Sequence, residues 1–188
     1  MANRKTDTRE KILVTASRLF KLRGYSATGL NDILKESGAP KGSFYYHFPN
    51  GKDELALEAI RRMSQHIQQQ IEHTLMGVED VKVAFQNFVR QLATKVLKED
   101  ELYYSISILA LETCFMNEPL RLACVEAFEA WQKVFEKKLT QSGLTEERAG
   151  ELSIIIQSMI EGANILAVTT RDNRPLLKIA DEIPAIIQ

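Results

Sequence analysis

The apolar residues of this chain are spaced three and four positions apart almost throughout, and regular alternation of apolar and polar residues is nowhere evident. Spacings of three and four place side chains on one face of an α-helix, whereas alternation is typical of a β-strand. The pattern therefore predicts an all-α protein with about nine helices. A first helix is predicted over residues 7–23, and Gly24 is expected to end it in the left-handed conformation.

Two short helices are predicted next, over residues 29–37 and 40–46. Thr28 has the side chain of an N-cap for the first of them, and Pro40 is suited to the first helical position of the second. Gly38, between the two helices, can adopt the positive φ that a sharp turn requires. The lengths and the joint fit a three-helix module that contains a helix-turn-helix.

Longer helices follow from Lys52, after the helix-breaking sequence Pro49-Asn50-Gly51. This change predicts two domains, residues 1–51 and residues 52–188. Thr145 is expected to cap one of the later helices. The predicted helices of the second domain span residues 52–75, 81–98, 101–116, 118–141 and 146–169, and a last one begins at Pro175.

Charge divides at nearly the same place. The 188 residues carry a net charge of −1, yet residues 1–52 hold ten Lys and Arg against four acidic residues, a net charge of +6, which leaves −7 on the remainder. A basic segment on an acidic body indicates that the basic segment meets a polyanion. No apolar run approaches the ~18 residues of a membrane span, and the polar N-terminus predicts a cytoplasmic protein with reduced cysteines.

The stretch GAPKGSFYYHF, residues 38–48, concentrates aromatic residues and one cation behind a turn. In a helix-turn-helix the second helix enters the major groove and presents its first side chains to base edges, while polar tips reach phosphates. Phe44 and Phe48 are expected to face the core of the module. The alternative is that all these aromatics fill a small core. The predicted DNA-contacting residues are Thr28, Lys41, Gly42, Ser43, Tyr45, Tyr46, His47 and Lys52.

The segment GYSATGLNDILKESGAPKGSFYYHFPNGKDEL resembles the DNA-binding signature of TetR-family transcriptional regulators. The segments ESGAPKGS, FPNGK, ETCFMNEPLR and SMIEG resemble, more narrowly, the repressors of Gram-positive bacteria that respond to flavonoids or lincosamide-type drugs. Three residues separate Phe48 from Lys52 where two are usual, which leaves the reach of Lys52 open. The signature positions met in order are Gly24, Tyr25, Thr28, Ile33, Gly38, Gly42, Tyr45, His47, Phe48 and Lys52.

The resemblance implies a homodimer that binds palindromic duplex DNA and is released by a small molecule. The last two helices of each subunit would form a four-helix bundle, which agrees with the strongly apolar stretch over residues 152–167, although burial within one subunit is the alternative. The second domain is also expected to hold the effector. Its polar candidates are Glu112, Thr113, Glu161 and Asn164, of which Glu112 and Asn164 are preferred because a carboxylate or amide in an apolar stretch needs a partner. The predicted effector-binding residues are Met63, Phe88, Leu92, Tyr103, Leu109, Glu112, Phe115, Met116, Trp131, Met159 and Asn164.

The predicted function is therefore a ligand-responsive transcriptional repressor whose effector is hydrophobic or aromatic, flavonoid-like or drug-like. An activator, or a dimeric adaptor that acts without DNA, is the alternative. An enzyme acting on phosphate esters is not expected, because the sequence has no glycine-rich phosphate loop, no metal-ligand cluster and no convincing Ser/His/acid set. His66 and His73 are read as a solvated face, and neither a metal nor a cofactor is predicted.

Overall fold

A computed structural model describes residues 2–98 and 105–188, together with their side chains except those of residues 2–6 and 105. The described ranges contain nine helices and no strand, which confirms the all-α prediction. The helices are α1 (Ala2–Arg23), α2 (Leu30–Ser37), α3 (Lys41–His47), α4 (Lys52–Met76), α5 (Val81–Lys95), α6 (Ser105–Thr113), α7 (Glu118–Gln141), α8 (Glu146–Thr170) and α9 (Arg174–Ile186).

The joints between the first three helices follow the predicted turn chemistry. Gly24 ends α1 with φ at +76°, and Gly38 ends α2 with φ at +67°. Both values lie in the left-handed region that glycine adopts without a steric cost. Pro40 is the N-cap of α3 rather than its first helical residue, so the prediction at this position was wrong by one residue.

The described residues form two compact units. One consists of the residues up to Gln65 together with Ser105–Ala127, and the other of the residues from His66 to position 98 together with Phe128–Gln188. The helices α4 and α7 contribute residues to both units. The predicted functional boundary after residue 51 stays a prediction, because the first compact unit also takes in the first part of α4 and the whole of α6.

The core of the first unit forms where α1 packs against α2, α3 and α6. Two ion pairs join α1 to α4: Arg9 to Glu58 at 2.6 Å and Arg62 to Glu10 at 2.6 Å. Partly exposed pairs of this kind add little stability, so burial of apolar side chains holds the unit together. The fully buried side chains include Ile12, Leu19, Phe20, Ile33, Phe44, Phe48, Leu55 and Ile60.

The second unit is built on α9, which packs against both α5 and α8. The ring of Phe135 meets those of Phe85 and Phe88 edge-on, at centroid distances of 5.5 and 5.8 Å. Thr145 caps α8 as predicted, since its side chain accepts a hydrogen bond from the Arg148 N–H. Among the described residues, α8 alone has the length and apolar composition to cross a bilayer, but 44% of that stretch is buried within the protein.

Candidate functional site

The helix α3 has one buried and one exposed face. Phe44 and Phe48 are 0% exposed, and their rings pack 5.6 Å apart. The ring of Tyr45 meets Phe44 edge-on at 5.1 Å while remaining exposed to solvent. The prediction that the two phenylalanines face the core is confirmed, and the alternative that all the aromatics fill the core is wrong.

The opposite face of α3 presents polar groups to solvent. Lys41 and Gly42 are exposed in the first turn, Tyr45 and Tyr46 are exposed further along, and Ser43 and His47 are half-buried. The order along the helix therefore matches a reading helix, that is, the recognition helix of a helix-turn-helix. In such a helix the first-turn residues reach bases and later residues reach phosphates. Contact of these side chains with DNA stays a prediction.

Thr28 has a different role from the predicted one. Its side chain is 0% exposed, and its hydroxyl donates to the backbone oxygen of Gly24 at 2.7 Å and lies 3.3 Å from that of Leu19. The N-cap of α2 is Gly29, which has no side chain to make a cap bond. The N-cap prediction for Thr28 was therefore wrong. Its hydroxyl is buried and bonded to the end of α1, and its predicted contact with DNA stays a prediction.

Lys52 is also directed inward. Its ammonium donates to the backbone oxygens of Tyr25 at 3.1 Å and Thr28 at 3.2 Å, and it lies 3.9 Å from the centroid of the Tyr25 ring. Burial lowers the pKa of Lys52, while the negative charges of Asp53 and Glu112 oppose that shift. In this arrangement Lys52 ties α4 to the turn that joins α1 to α2, and its predicted phosphate contact stays a prediction.

Tyr25 is held by three acidic or basic side chains, and we call the set Tyr25, Lys52, Asp53 and Glu112 the Tyr25 clamp. Besides Lys52, the Glu112 carboxylate accepts from the Tyr25 N–H at 2.5 Å, and Asp53 accepts from the Tyr25 hydroxyl. Burial and the Asp53 carboxylate both raise the pKa of Tyr25. The other Asp53 oxygen accepts from the side-chain amide of Asn117 at 2.8 Å.

The residues predicted to bind an effector do not all stand in one unit. Phe115 and Met116 are 97% and 81% exposed, and so do not form the wall of a closed apolar cavity as predicted. Tyr103 lies outside the described residues. The first unit holds Met63, Leu109, Glu112, Phe115 and Met116, and the second holds Phe88, Leu92, Trp131, Met159 and Asn164.

In the second unit, Phe88 and Leu92 are buried beneath a groove of about 220 Å³ between α4 and α5. Trp131 is also buried, with its ring edge-on to Phe128 at 5.6 Å. The groove therefore combines an apolar floor with polar walls. Its remaining lining residues are Gln70, His73, Thr74, Gln91 and Lys95.

Asn164 is a buried amide with unmet hydrogen-bonding capacity. It is 0% exposed, and among the described residues neither its side-chain oxygen nor its nitrogen has a partner. The side-chain oxygen of Gln157, seven residues earlier on α8, is buried without a partner in the same part of the chain. Sequence reasoning missed Gln157, although its position in an apolar stretch was the same signal that singled out Asn164.

Within the described ranges, no group of three or more His, Cys, Asp and Glu side chains could hold a metal ion. The short helices α2 and α3, joined by the Gly38 turn, and the larger all-α remainder define a helix-turn-helix transcriptional regulator. The family model for bacterial regulatory proteins of the tetR family matches residues 12–59, and the model for the C-terminal domain of LmrA/YxaF-like transcriptional regulators matches residues 82–182. The chain belongs to the TetR family.

Within this family the chain is similar to two regulators of Bacillus subtilis. It is 46% identical to the transcriptional regulator LmrA and 45% identical to the regulator YxaF, each over 183 residues that cover 97% of this chain and 97% and 96% of the relatives. The fold resembles that of the reduced form of Escherichia coli NemR, a transcriptional repressor, with a TM-score of 0.84 at 21% identity over 96% of this chain and 97% of that one. By their names, these relatives are regulators of transcription.

Proposed function

We propose that this protein is a repressor that binds duplex DNA as a homodimer through α3 and is released by a small hydrophobic or aromatic molecule. The single observation that supports it most is the division of α3 into buried Phe44 and Phe48 and an exposed face that begins with Lys41. Rigidly anchored aromatics fix the orientation of the helix, so Lys41 is presented for hydrogen bonding to guanine O6 and N7. Tyr45 and Tyr46 are positioned to donate to phosphates.

The test begins with selection of a palindromic operator from a pool of random duplexes, followed by titration of the full chain by fluorescence anisotropy. We expect Lys41→Ala to weaken specific binding about tenfold and to relax the preference at one base pair of each half-site. Lys178→Ala, which removes an exposed lysine of α9, is the matched control and should change nothing. Equal affinity of the two variants would exclude α3 as the reading helix.

The similarity to NemR, a transcriptional repressor, supports repression. A promoter-reporter assay distinguishes a repressor from an activator and from an adaptor that acts without DNA. A repressor lowers reporter output when expressed and Lys41→Ala restores the output. An activator raises the output, and an adaptor that works without DNA is unaffected by Lys41→Ala. We place the protein in the cytoplasm, where its operator is, and assign it no catalytic activity.

The homodimer is supported by the exposed face of α8. Ile154, Ile155, Ile165 and Leu166 are all exposed in the single chain, although large aliphatic side chains are normally buried. Two α8 faces packed across a two-fold axis would bury them. A palindromic operator in turn needs two copies of α3 one DNA turn apart, ~34–36 Å, which a homodimer supplies. Sedimentation of the native chain should give a dimer and Ile165→Glu a monomer; a monomeric native chain would refute this part.

For the effector we propose a site in the second unit that uses the amide of Asn164. A buried amide without partners is costly, and a ligand with a hydrogen-bonding group beside an apolar ring system would satisfy it. A gel-shift assay with a panel of flavonoids and lincosamide-type drugs should identify a compound that releases the operator. The Asn164→Leu variant should then still bind the operator but no longer be released by the compound. If the compound released the variant at the same concentration as the native chain, Asn164 would not be part of the effector site.

A further inference from the structure

The Tyr25 clamp holds both backbone hydrogen-bonding groups of one residue from two other helices. Glu112, near the end of α6, accepts from the Tyr25 N–H at 2.5 Å, and Lys52, at the start of α4, donates to the Tyr25 oxygen at 3.1 Å. Lys52 also donates to the Thr28 oxygen at 3.2 Å. The turn between α1 and α2 is therefore fixed at its beginning and at its end.

The corner between α6 and α7 is tied to the same place a second time. The side-chain oxygen of Asn117 accepts from the Leu120 N–H at 3.1 Å, near the start of α7, while its amide nitrogen donates to Asp53 at 2.8 Å. Asp53 in turn accepts from the Tyr25 hydroxyl. The corner and the turn are thus connected through Glu112 and through Asn117, and both connections end on Tyr25.

The Glu112 carboxylate lies against the backbone of the turn at Gly24. A Cβ atom built on Gly24 would lie 2.4 Å from one oxygen of the Glu112 carboxylate, well inside van der Waals contact. The carboxylate is therefore packed against the backbone at residue 24 as well as bonded to residue 25.

We propose that Glu112 is a positioning residue for DNA recognition. It holds the turn between α1 and α2, and with it the helix-turn-helix, in the orientation that binds DNA, and it does so from a helix outside the three-helix module. The inference rests on the proposed repressor function, because it requires α3 to be the reading helix. The sequence analysis predicts Glu112 as an effector-binding residue; the contacts of its carboxylate support this positioning role instead.

The experiment uses the full chain without effector and the operator selected as described above. Glu112→Ala removes the acceptor, Glu112→Gln keeps an acceptor oxygen for the Tyr25 N–H, and Glu118→Ala removes an exposed glutamate of α7 as the control. We expect Glu112→Ala to weaken operator binding about tenfold, equivalent to ~1.4 kcal/mol. Glu112→Gln should remain within about threefold of the native affinity, since a neutral acceptor keeps part of the hydrogen-bond strength.

A salt titration distinguishes positioning from the loss of a phosphate contact. Glu112 carries a negative charge and contacts no phosphate, so the slope of the logarithm of affinity against the logarithm of salt concentration should be the same for Glu112→Ala and the native chain. Lys41→Ala serves as the reference for a residue at the interface itself. If Lys41→Ala weakens binding and Glu112→Ala does not, the positioning role is refuted while the proposed function stands; if neither weakens binding, the proposed function fails.

Gly24 supplies a second, independent arm. Gly24→Ala should weaken operator binding, because its new methyl group displaces the Glu112 carboxylate, and the double variant Gly24→Ala/Glu112→Ala should be weakened less than the product of the two single effects. The strain of alanine at positive φ is present in both backgrounds and cancels from the comparison. Strict additivity would overturn the inference, as would a Glu112→Gln chain that is folded by circular dichroism and binds as weakly as Glu112→Ala.

Discussion

Replacement of Asn164 by leucine is expected to make the ligand-free protein more stable, although the substitution is in the core. Asn164 is 0% exposed, and neither polar atom of its amide has a partner among the described residues. An amide buried in this way costs about 1–3 kcal/mol relative to its hydration in water. Leucine branches at the same carbon as asparagine and buries only apolar surface.

The expected gain is about 2 kcal/mol once some overpacking by the larger side chain is allowed for. For a chain of this length, 1 kcal/mol corresponds to about 2–4 °C in Tm, so the increase should be about 4–8 °C. Urea unfolding and calorimetry at one fixed protein concentration measure it, because the stability of a dimer depends on concentration.

Ser153→Ala is the matched control on the same helix. Ser153 is also 0% exposed, but its hydroxyl donates to the Gly150 oxygen at 2.8 Å. Removal of a satisfied hydroxyl should lower the free energy of unfolding by about 1 kcal/mol. If Asn164→Leu were destabilised as much as Ser153→Ala, the amide would have partners in solution, and the reasoning that assigns it to the effector would fail with it.

Three further changes test other parts of the structure. Phe44→Ala should lower the free energy of unfolding, measured in urea, by about 3–5 kcal/mol and abolish operator binding. Tyr46→Ala, on the exposed face, should lower it by at most about 0.5 kcal/mol. Equal losses in the two variants would mean that Phe44 does not anchor α3. Tyr25→Phe, which removes the hydroxyl bonded to Asp53, should lower stability by about 1 kcal/mol, measured against Tyr45→Phe on the exposed face. Burial raises the pKa of the Cys124 thiol from 9.0 to about 11. The folded chain therefore keeps a proton that the unfolded chain loses, and stability should fall by about 2 kcal/mol between pH 9 and pH 11. Cys124→Ala should lack that part of the fall, whereas Cys114→Ala should retain it.

The sequence determined the helices of this protein well because their signals are local. Glycine at the end of α1 and α2, threonine before α8 and apolar spacings of three and four all act within one or two turns of helix. The inward position of Phe44 and Phe48 followed in the same way, since residues four apart on a helix share a face.

The roles of Thr28, Lys52 and Glu112 could not be predicted, because they depend on which residues meet across the fold. Glu112 and Tyr25 are 87 positions apart, and no local pattern links a carboxylate in α6 to a backbone N–H after α1. A threonine before a short helix has the same sequence signature whether its hydroxyl caps that helix or turns back to the helix before it. Burial decided between these two, and burial is a property of the whole unit.

The aliphatic face of α8 has a consequence for how the amount of protein in the cell controls transcription. If operator reading needs two chains, occupancy at low expression rises with the square of the chain concentration instead of in proportion to it. A promoter under such control responds steeply to small changes in synthesis or degradation of its regulator. The exposed isoleucine and leucine side chains of α8 would then set the strength of dimerisation. They would thereby set the chain concentration below which the promoter is no longer regulated.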